Sequence, residues 1–282
     1  NVPVTSSDTF VGVITTSPVV FTGGNSAVNT AFDPQGAGTA TIAVGTPAGF
    51  DIPSSFRQIT ATVTAPNINI ISNVTVGKDL QTSVFISLGV APPNPVNVTV
   101  TSSNPAIAIL STSATTVGSN SVTFSGVTST SVGTIIVQGI GRGSTILTAQ
   151  APGYNDATPT VTVDPSGFVI NSPSSINTTA SAANVTIQIA SALLNPTTLN
   201  RVTNQAVRAG LAVNVPVTSS NPAVGTITVN PVAFAGGSSS VNTAFDPLAA
   251  GTTTIAVGTP VSTPPVVFDT PSNLQQITAT VN

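Results

Sequence analysis

The 282 residues contain no cysteine, histidine, methionine, tryptophan or glutamate. The entire charge is eight Asp and five Lys plus Arg, 5% of the chain; an ordinary soluble domain carries about 25%. Each absence excludes a chemistry. Without His or Cys there is no Ser-His-Asp triad, no Cys nucleophile and no His- or Cys-ligated zinc site. Without Cys there is no disulfide. Five cations make no nucleic-acid surface. Glycosidase chemistry needs one carboxyl poised beside another, and the scattered Asp residues suggest no such pair. The chain is therefore read as a non-enzyme with no cofactor and no metal.

Long apolar runs are missing too. Mean hydropathy is +0.41, yet no stretch approaches the roughly 18 apolar residues of a spanning helix. The longest candidates, residues 84–90 and 135–140, are broken by Ser, Gly or Gln. A lipid-facing barrel wants aromatic girdles, and eleven Phe with one Tyr do not supply two. Membrane insertion is not expected. The chain opens without Met and without a basic-then-apolar leader, which reads as a processed chain or an excerpt.

What is present is self-similarity, the first thing to seek in such a chain. Residues 1–47 align without a gap on 214–260, with 34 identities in 47. After five extra residues, 261–265, the match resumes, with Gln58-Ile-Thr-Ala-Thr-Val63 facing Gln276-Ile-Thr-Ala-Thr-Val281. A more distant copy lies between them, where Asn97-Val-Thr-Val-Thr-Ser-Ser-Asn-Pro-Ala106 matches the segment 214–223. These anchors predict three divisions. Residues 1–64 are the back part of a unit, 65–164 a complete domain, and 165–282 a complete domain with a longer front half. The first division lacks any counterpart of residues 167–213. Apolar positions such as Val11, Ile14, Ile42 and Val44 are then expected to want a facing layer, from further sequence or a neighbouring chain.

Val, Ile and Ala alternate with Thr and Ser along residues 60–64, 98–101 and 184–190, the period of half-buried strands. Asn-Pro, Gly-Gly, Asp-Pro and Pro-Gly steps interrupt them at intervals near ten residues. The pattern predicts an all-β protein of tandem sandwiches. Only residues 193–211 are ambiguous, with a short helix or a loop equally compatible. Pro66 and Pro165 are expected to stiffen the joints, because proline fixes its own φ and restricts the residue before it.

The segments Thr-Ser-Ser-Asn-Pro-Ala at 101–106 and 218–223, with the glycine-led stretch Gly143 to Ile146 and Ala151-Pro-Gly-Tyr154 beyond it, resemble the bacterial immunoglobulin-like domain, group 2. The resemblance implies tandem Ig-like β-sandwiches of exported surface repeat proteins, without catalytic residues. The near-absence of charge and the longer front half of the last unit depart from it.

The candidate sites are few. Asp33 and Asp246 share a repeat position, as do Asp51 and Asp269, but each stands alone. Calcium takes six to eight oxygens, so these carboxylates read as turn caps. Lys78 and Asp79 after Gly77 read as a turn with its own ion pair. Lys78 is the only lysine, and no Glu is available to catalyse an isopeptide crosslink. Asn73, Asn97, Asn177 and Asn184 fit a glycan acceptor pattern, but no more often than chance. Tyr154 reads as a corner residue rather than a sugar platform. The segment 193–210, an insertion relative to the middle unit, carries Arg201 and Arg208. It reads as an interdomain or interchain docking loop.

These features point to a structural repeat module of an extracellular or cell-surface bacterial fibre that associates with copies of itself. The alternatives are the stalk of an adhesin, or a carbohydrate-binding accessory module of a secreted enzyme, with a surface glycan or receptor left unnamed. With no His and no Glu, no side chain is expected to titrate between about pH 5 and 8. The melting temperature is expected to move by less than about 5 °C across that window; thermal scans at several pH values check it.

Overall fold

The computed structural model describes residues 1–282, all in strands, turns and connecting segments, with no helix. The chain divides into two compact units: residues 1–67 with 152–155, and residues 68–151 with 156–282. The middle and last repeats thus lie in one unit, apart from residues 65–67 and 152–155.

Two sheets build the middle repeat. One orders Ala108–Ser111, Ser131–Gly139 and Leu80–Leu88, with Ile68–Ile70 also on Leu80–Leu88. The other orders Ser121–Val127, Val96–Ser102, Gly143–Gln150, Thr160–Asp164 and Asn73–Gly77, the last pair being parallel. Val98 and Val100, Ile135 and Val137, and Val161 and Val163 are all buried, while their neighbours are half-buried or exposed, Gln138 excepted.

The last repeat uses three sheets around one core. Ser166–Ser172, Val185–Leu194, Ser240–Pro247 and Gly225–Ile227 form the first; Ile176–Thr178, Gln276–Val281, Gly251–Val257 and Val217–Ser219 the second. Val232–Ala235, Ala212–Val215 and Val261–Thr263 form the third. Phe168, Ile187, Ile189, Phe234, Phe245 and Ile255 belong to the shared core. Phe168 meets Phe234 and Phe268 edge-on, both at ring-centroid distances of 4.9 Å, an arrangement that suits the ring quadrupoles.

The repeated Thr-Ser-Ser-Asn-Pro-Ala segment is a stitch between strands. In the last repeat the Thr253 hydroxyl meets those of Ser219 and Ser220 and accepts from the Asn221 N–H. The Asn221 carboxamide oxygen accepts from the Ala223 N–H. Thr145, Ser103, Asn104 and Ala106 repeat this pattern in the middle repeat. The short polar side chains thereby satisfy backbone groups where the strand ends.

The first unit keeps part of the strand pairing of its counterpart, although nothing matches the strands Val232–Ala235 and Val261–Thr263, and only Phe32–Pro34 answers to Ser240–Pro247. Val4 pairs with Val44 as Val217 does with Val257, Gly38 with Val63 as Gly251 with Val281, and Gly12 with Pro34 as Gly225 with Pro247. Its surroundings differ. In the last repeat, residues 165–213 cover these strands with Phe168, Ile170, Ile187 and Ile189. In the first unit Val11 is buried, Ile14 and Ile42 are half-buried and Val44 is exposed. Phe21 is 42% exposed where Phe234 is 1%, and Ile59 is 66% exposed where Ile277 is 7%.

Paired substitutions at one repeat position test this difference. Phe234→Ala is expected to destabilise the second unit by about 3–5 kcal/mol. Phe21→Ala should cost the first unit less than about 1 kcal/mol. Residue-resolved hydrogen exchange under denaturant separates the two units and measures both.

Candidate functional site

The densest polar constellation lies where the middle repeat meets the last. Its centre is Asp79, 1% exposed, in the turn between Asn73–Gly77 and Leu80–Leu88. Asp79 has a φ of 61°, a left-handed conformation that Asp tolerates better than most residues. The turn directs its carboxylate between two cations. Lys78 Nζ lies 2.5 Å from Oδ2, and Arg208 Nε lies 3.0 Å from Oδ1. A buried carboxylate is tolerable only when paired and hydrogen-bonded. Lys78 Nζ also donates to the Val267 carbonyl at 3.3 Å.

The backbone closes the joint. Ala206–Val207 adds to the middle repeat's sheet, placing Ala206 opposite Gln81 and Val207 opposite Leu80. The Arg208 N–H donates to the Asp79 carbonyl at 3.0 Å. The Ser166 hydroxyl donates to the Lys78 carbonyl. Leu80, though it belongs to the middle repeat, is buried within the core of the last repeat.

Three buried glutamines complete the seam. Gln205 accepts from the Gly77 N–H at 2.8 Å and donates to the Thr75 carbonyl at 2.9 Å. Gln81 Oε1 accepts from the Ala209 N–H and from Gln138 Nε2, both at 3.2 Å. Gln138 itself holds the backbone of Thr116 and Gly118. An amide offers a donor and an acceptor at one tip, so it can splice two backbones that lack a strand partner. Nearby, Arg142 of the middle repeat pairs with Asp269 of the last.

The segment 193–210 holds no helix; residues 193–194, 201–204 and 206–207 are strand, joined by turns and connections. Arg201–Asn204 pairs back onto Val185–Leu194, and Ala206–Val207 joins the middle repeat. These short stretches each find a sheet edge for their backbone groups. Arg208 lies in the seam. Arg201 lies outside it, its Nε donating to Asn204 Oδ1 at 2.9 Å and its N–H to Asn273.

The other candidates are dispersed. Asp33 does not cap a turn but lies on the strand Phe32–Pro34 opposite Val13, accepting from Gln35, and Asp246 is half-buried on its own strand opposite Thr226. Asp51 is exposed, whereas its repeat partner Asp269 binds Arg142. No three of the carboxylates cluster. Asn97 and Asn177 accept hydrogen bonds from Gly126 and Asn282. Tyr154 is half-buried, and the loss of water raises its phenol above the ordinary value. The arrangement at Asp79 holds two repeats in a fixed orientation.

Asp79, Leu80, Gln81 and Gln205 were not legible as a joint in the sequence. Lys78-Asp79 looked self-contained, and the second cation lies 129 residues further on. The one available signal was the pair of arginines in the insertion.

No family model matches the chain, and no curated protein does. Among solved structures, an Escherichia coli alpha-2-macroglobulin activated by porcine elastase aligns with 91% of this chain at 14% identity and a TM-score of 0.26. The chain spans 26% of that protein's length. The polymeric Ig receptor ectodomain of a teleost fish aligns with 77% of this chain and 98% of its own, at 10% identity and a TM-score of 0.30. Similarity at this level carries no argument about either fold family or activity.

The seam predicts an ordered mutational series. Asp79→Ala should destabilise the second unit by about 3 kcal/mol, since it leaves two cations without their buried partner; Arg208→Ala should cost less, since Lys78 still pairs with Asp79. Arg201→Ala should change stability by no more than about 0.5 kcal/mol. Denaturant unfolding of the full chain, followed by hydrogen exchange in residues 68–282, provides the comparison.

Proposed function

We propose that the chain is a structural repeat module of an extracellular bacterial fibre, acting by self-association and by resisting extension. The reading takes its repeats as tandem Ig-like sandwiches of the bacterial group 2 type. The observation that carries it is the seam at Asp79. A flexible display stalk would want a solvated linker between repeats, whereas here a strand, a core leucine and a buried carboxylate cross the boundary. Load on one repeat would pass to the next through hydrogen bonds and packing rather than through a single covalent linker.

The surface chemistry supports association with copies. A net charge of −3 on 282 residues gives little long-range repulsion. One lysine leaves few charged gatekeepers at strand edges. Contacts between copies would then be apolar and backbone in nature, and weakly sensitive to salt. Exposed Phe85, Val202 and Val261 offer apolar contact points on the second unit. The absence of Cys and Met leaves nothing readily oxidised outside a cell.

Light scattering of the intact chain, with negative-stain imaging, tests this. Assemblies are expected to persist from low salt to about 1 M NaCl. A monomer at high concentration throughout would defeat the assembly reading, and dissolution by salt would show that ion pairs hold the copies.

A further inference from the structure

The first unit exposes the surface that its near-identical copy buries, and the copy shows what belongs there. In the last repeat the covering segment is residues 165–213. Its Phe168 ring lies against Phe234 and Phe268. Its backbone is held from both sides: the Asp269 N–H donates to the Ser166 carbonyl at 2.7 Å, and the Ile170 N–H donates to the Leu274 carbonyl at 2.8 Å. Gln275 Nε2 donates to the Phe168 carbonyl at 2.7 Å.

Every receiving group has a counterpart in the first unit. Phe21 and Phe50 stand where Phe234 and Phe268 stand, and Asp51, Phe56 and Arg57 where Asp269, Leu274 and Gln275 stand. Phe56 keeps the left-handed backbone of Leu274, with φ of 56° against 60°. Phe50 is 73% exposed and Phe56 is 100% exposed. Between Val44, Pro47, Phe50 and Arg57 lies a groove of about 210 Å³. The corresponding groove of the last repeat is lined by Phe168 and measures about 130 Å³. At the chain's start, the Val2–Val19 bridge repeats the last rung between Ala212–Val215 and Val232–Ala235. One rung of the pairing that an incoming segment would extend is therefore already in register.

We propose that this open face is the docking surface for a second segment of the 165–213 type, additional to the one already used on 214–282. It would enter beside Asn1 as Val213 enters beside Asn214, adding strands to the exposed sheets and seating a Phe in the groove. Its chemistry is specific. It needs apolar residues at the positions of Phe168, Ile170, Ile187 and Ile189. It needs glycine at the position of Gly167, where a Cβ would sit 2.5 Å from the carbonyl oxygen of Asp269. A second copy of the chain lending its own 165–213 would uncover its own 214–282, so the number of open faces would not fall.

The test restores the segment. The sequence of residues 165–213 is joined directly ahead of Asn1 of the full chain, reproducing the 213–214 junction. Amide exchange around Val44 and Ile59 is expected to slow about tenfold or more, and dye binding to exposed apolar surface to fall. The same graft carrying Gly167→Val and Phe168→Asp, in the graft alone, should give neither effect. Unchanged exchange with the intact graft would overturn the proposal, as would equal protection by the altered graft. Protection of residues 1–64 in the ungrafted chain that grows with concentration would assign the face to a second copy, and would overturn it too.

Discussion

Nearly all cohesion in this protein comes from pairing strands and covering their apolar faces. Ion pairs cannot substitute, because only three exist and two of them share Asp79. No disulfide closes a loop. A sheet of Val, Ile and Thr is stable in water only when one face is covered. That requirement accounts for the three-sheet core of the last repeat and for the strand and leucine that cross into the neighbouring repeat. It also marks the one place where the requirement is unmet, the face of the first unit.

The seam shows how a chain of so little charge uses the charge it has. Asp79 could not be buried alone, since taking an unpaired carboxylate out of water costs far more than the surrounding packing returns. Two cations from opposite sides make it tolerable. The same pairing makes the joint selective, because a shift of Ala206–Val207 along Leu80–Leu88 would remove Arg208 from the carboxylate. Buried charge of this kind adds little net stability over an apolar replacement. Its contribution here is to fix which residues of the two repeats face one another.

Much of the architecture was legible beforehand, for local reasons. Strands such as Val96–Ser102 and Gly251–Val257 follow from alternation. The paired turns at Thr-Ser-Ser-Asn-Pro-Ala were legible as turns, though their hydroxyl stitching was not. Residues 193–211 resisted reading because their strands are short and polar; Arg201–Asn204 has no apolar alternation and exists through pairing with Leu193 and Leu194. The seam was less accessible still. Leu80 sits next to an ordinary turn, and nothing in its neighbourhood reveals that its side chain serves the core of the next repeat.

Residues 1–47 and 214–260 form a natural control on what sequence determines. The registers of the pairs that both copies form agree, and beyond them Phe56 and Leu274 share a left-handed backbone. Burial is not shared: Ile59 and Ile277 occupy identical strand positions in identical local sequence, yet only one is covered. Hydrogen-bond register is therefore encoded within the back half of the repeat, whereas the core is a property of both halves together. A chain built this way carries its strand order in each half, and its stability depends on the two halves meeting. The longer front half of the last repeat supplies both parts at once: Phe168 and Ile189 close its own core, and Ala206–Val207 reaches across to the repeat before it. Covering a sheet and joining two repeats are thus done by one continuous segment, so neither can be lost without disturbing the other.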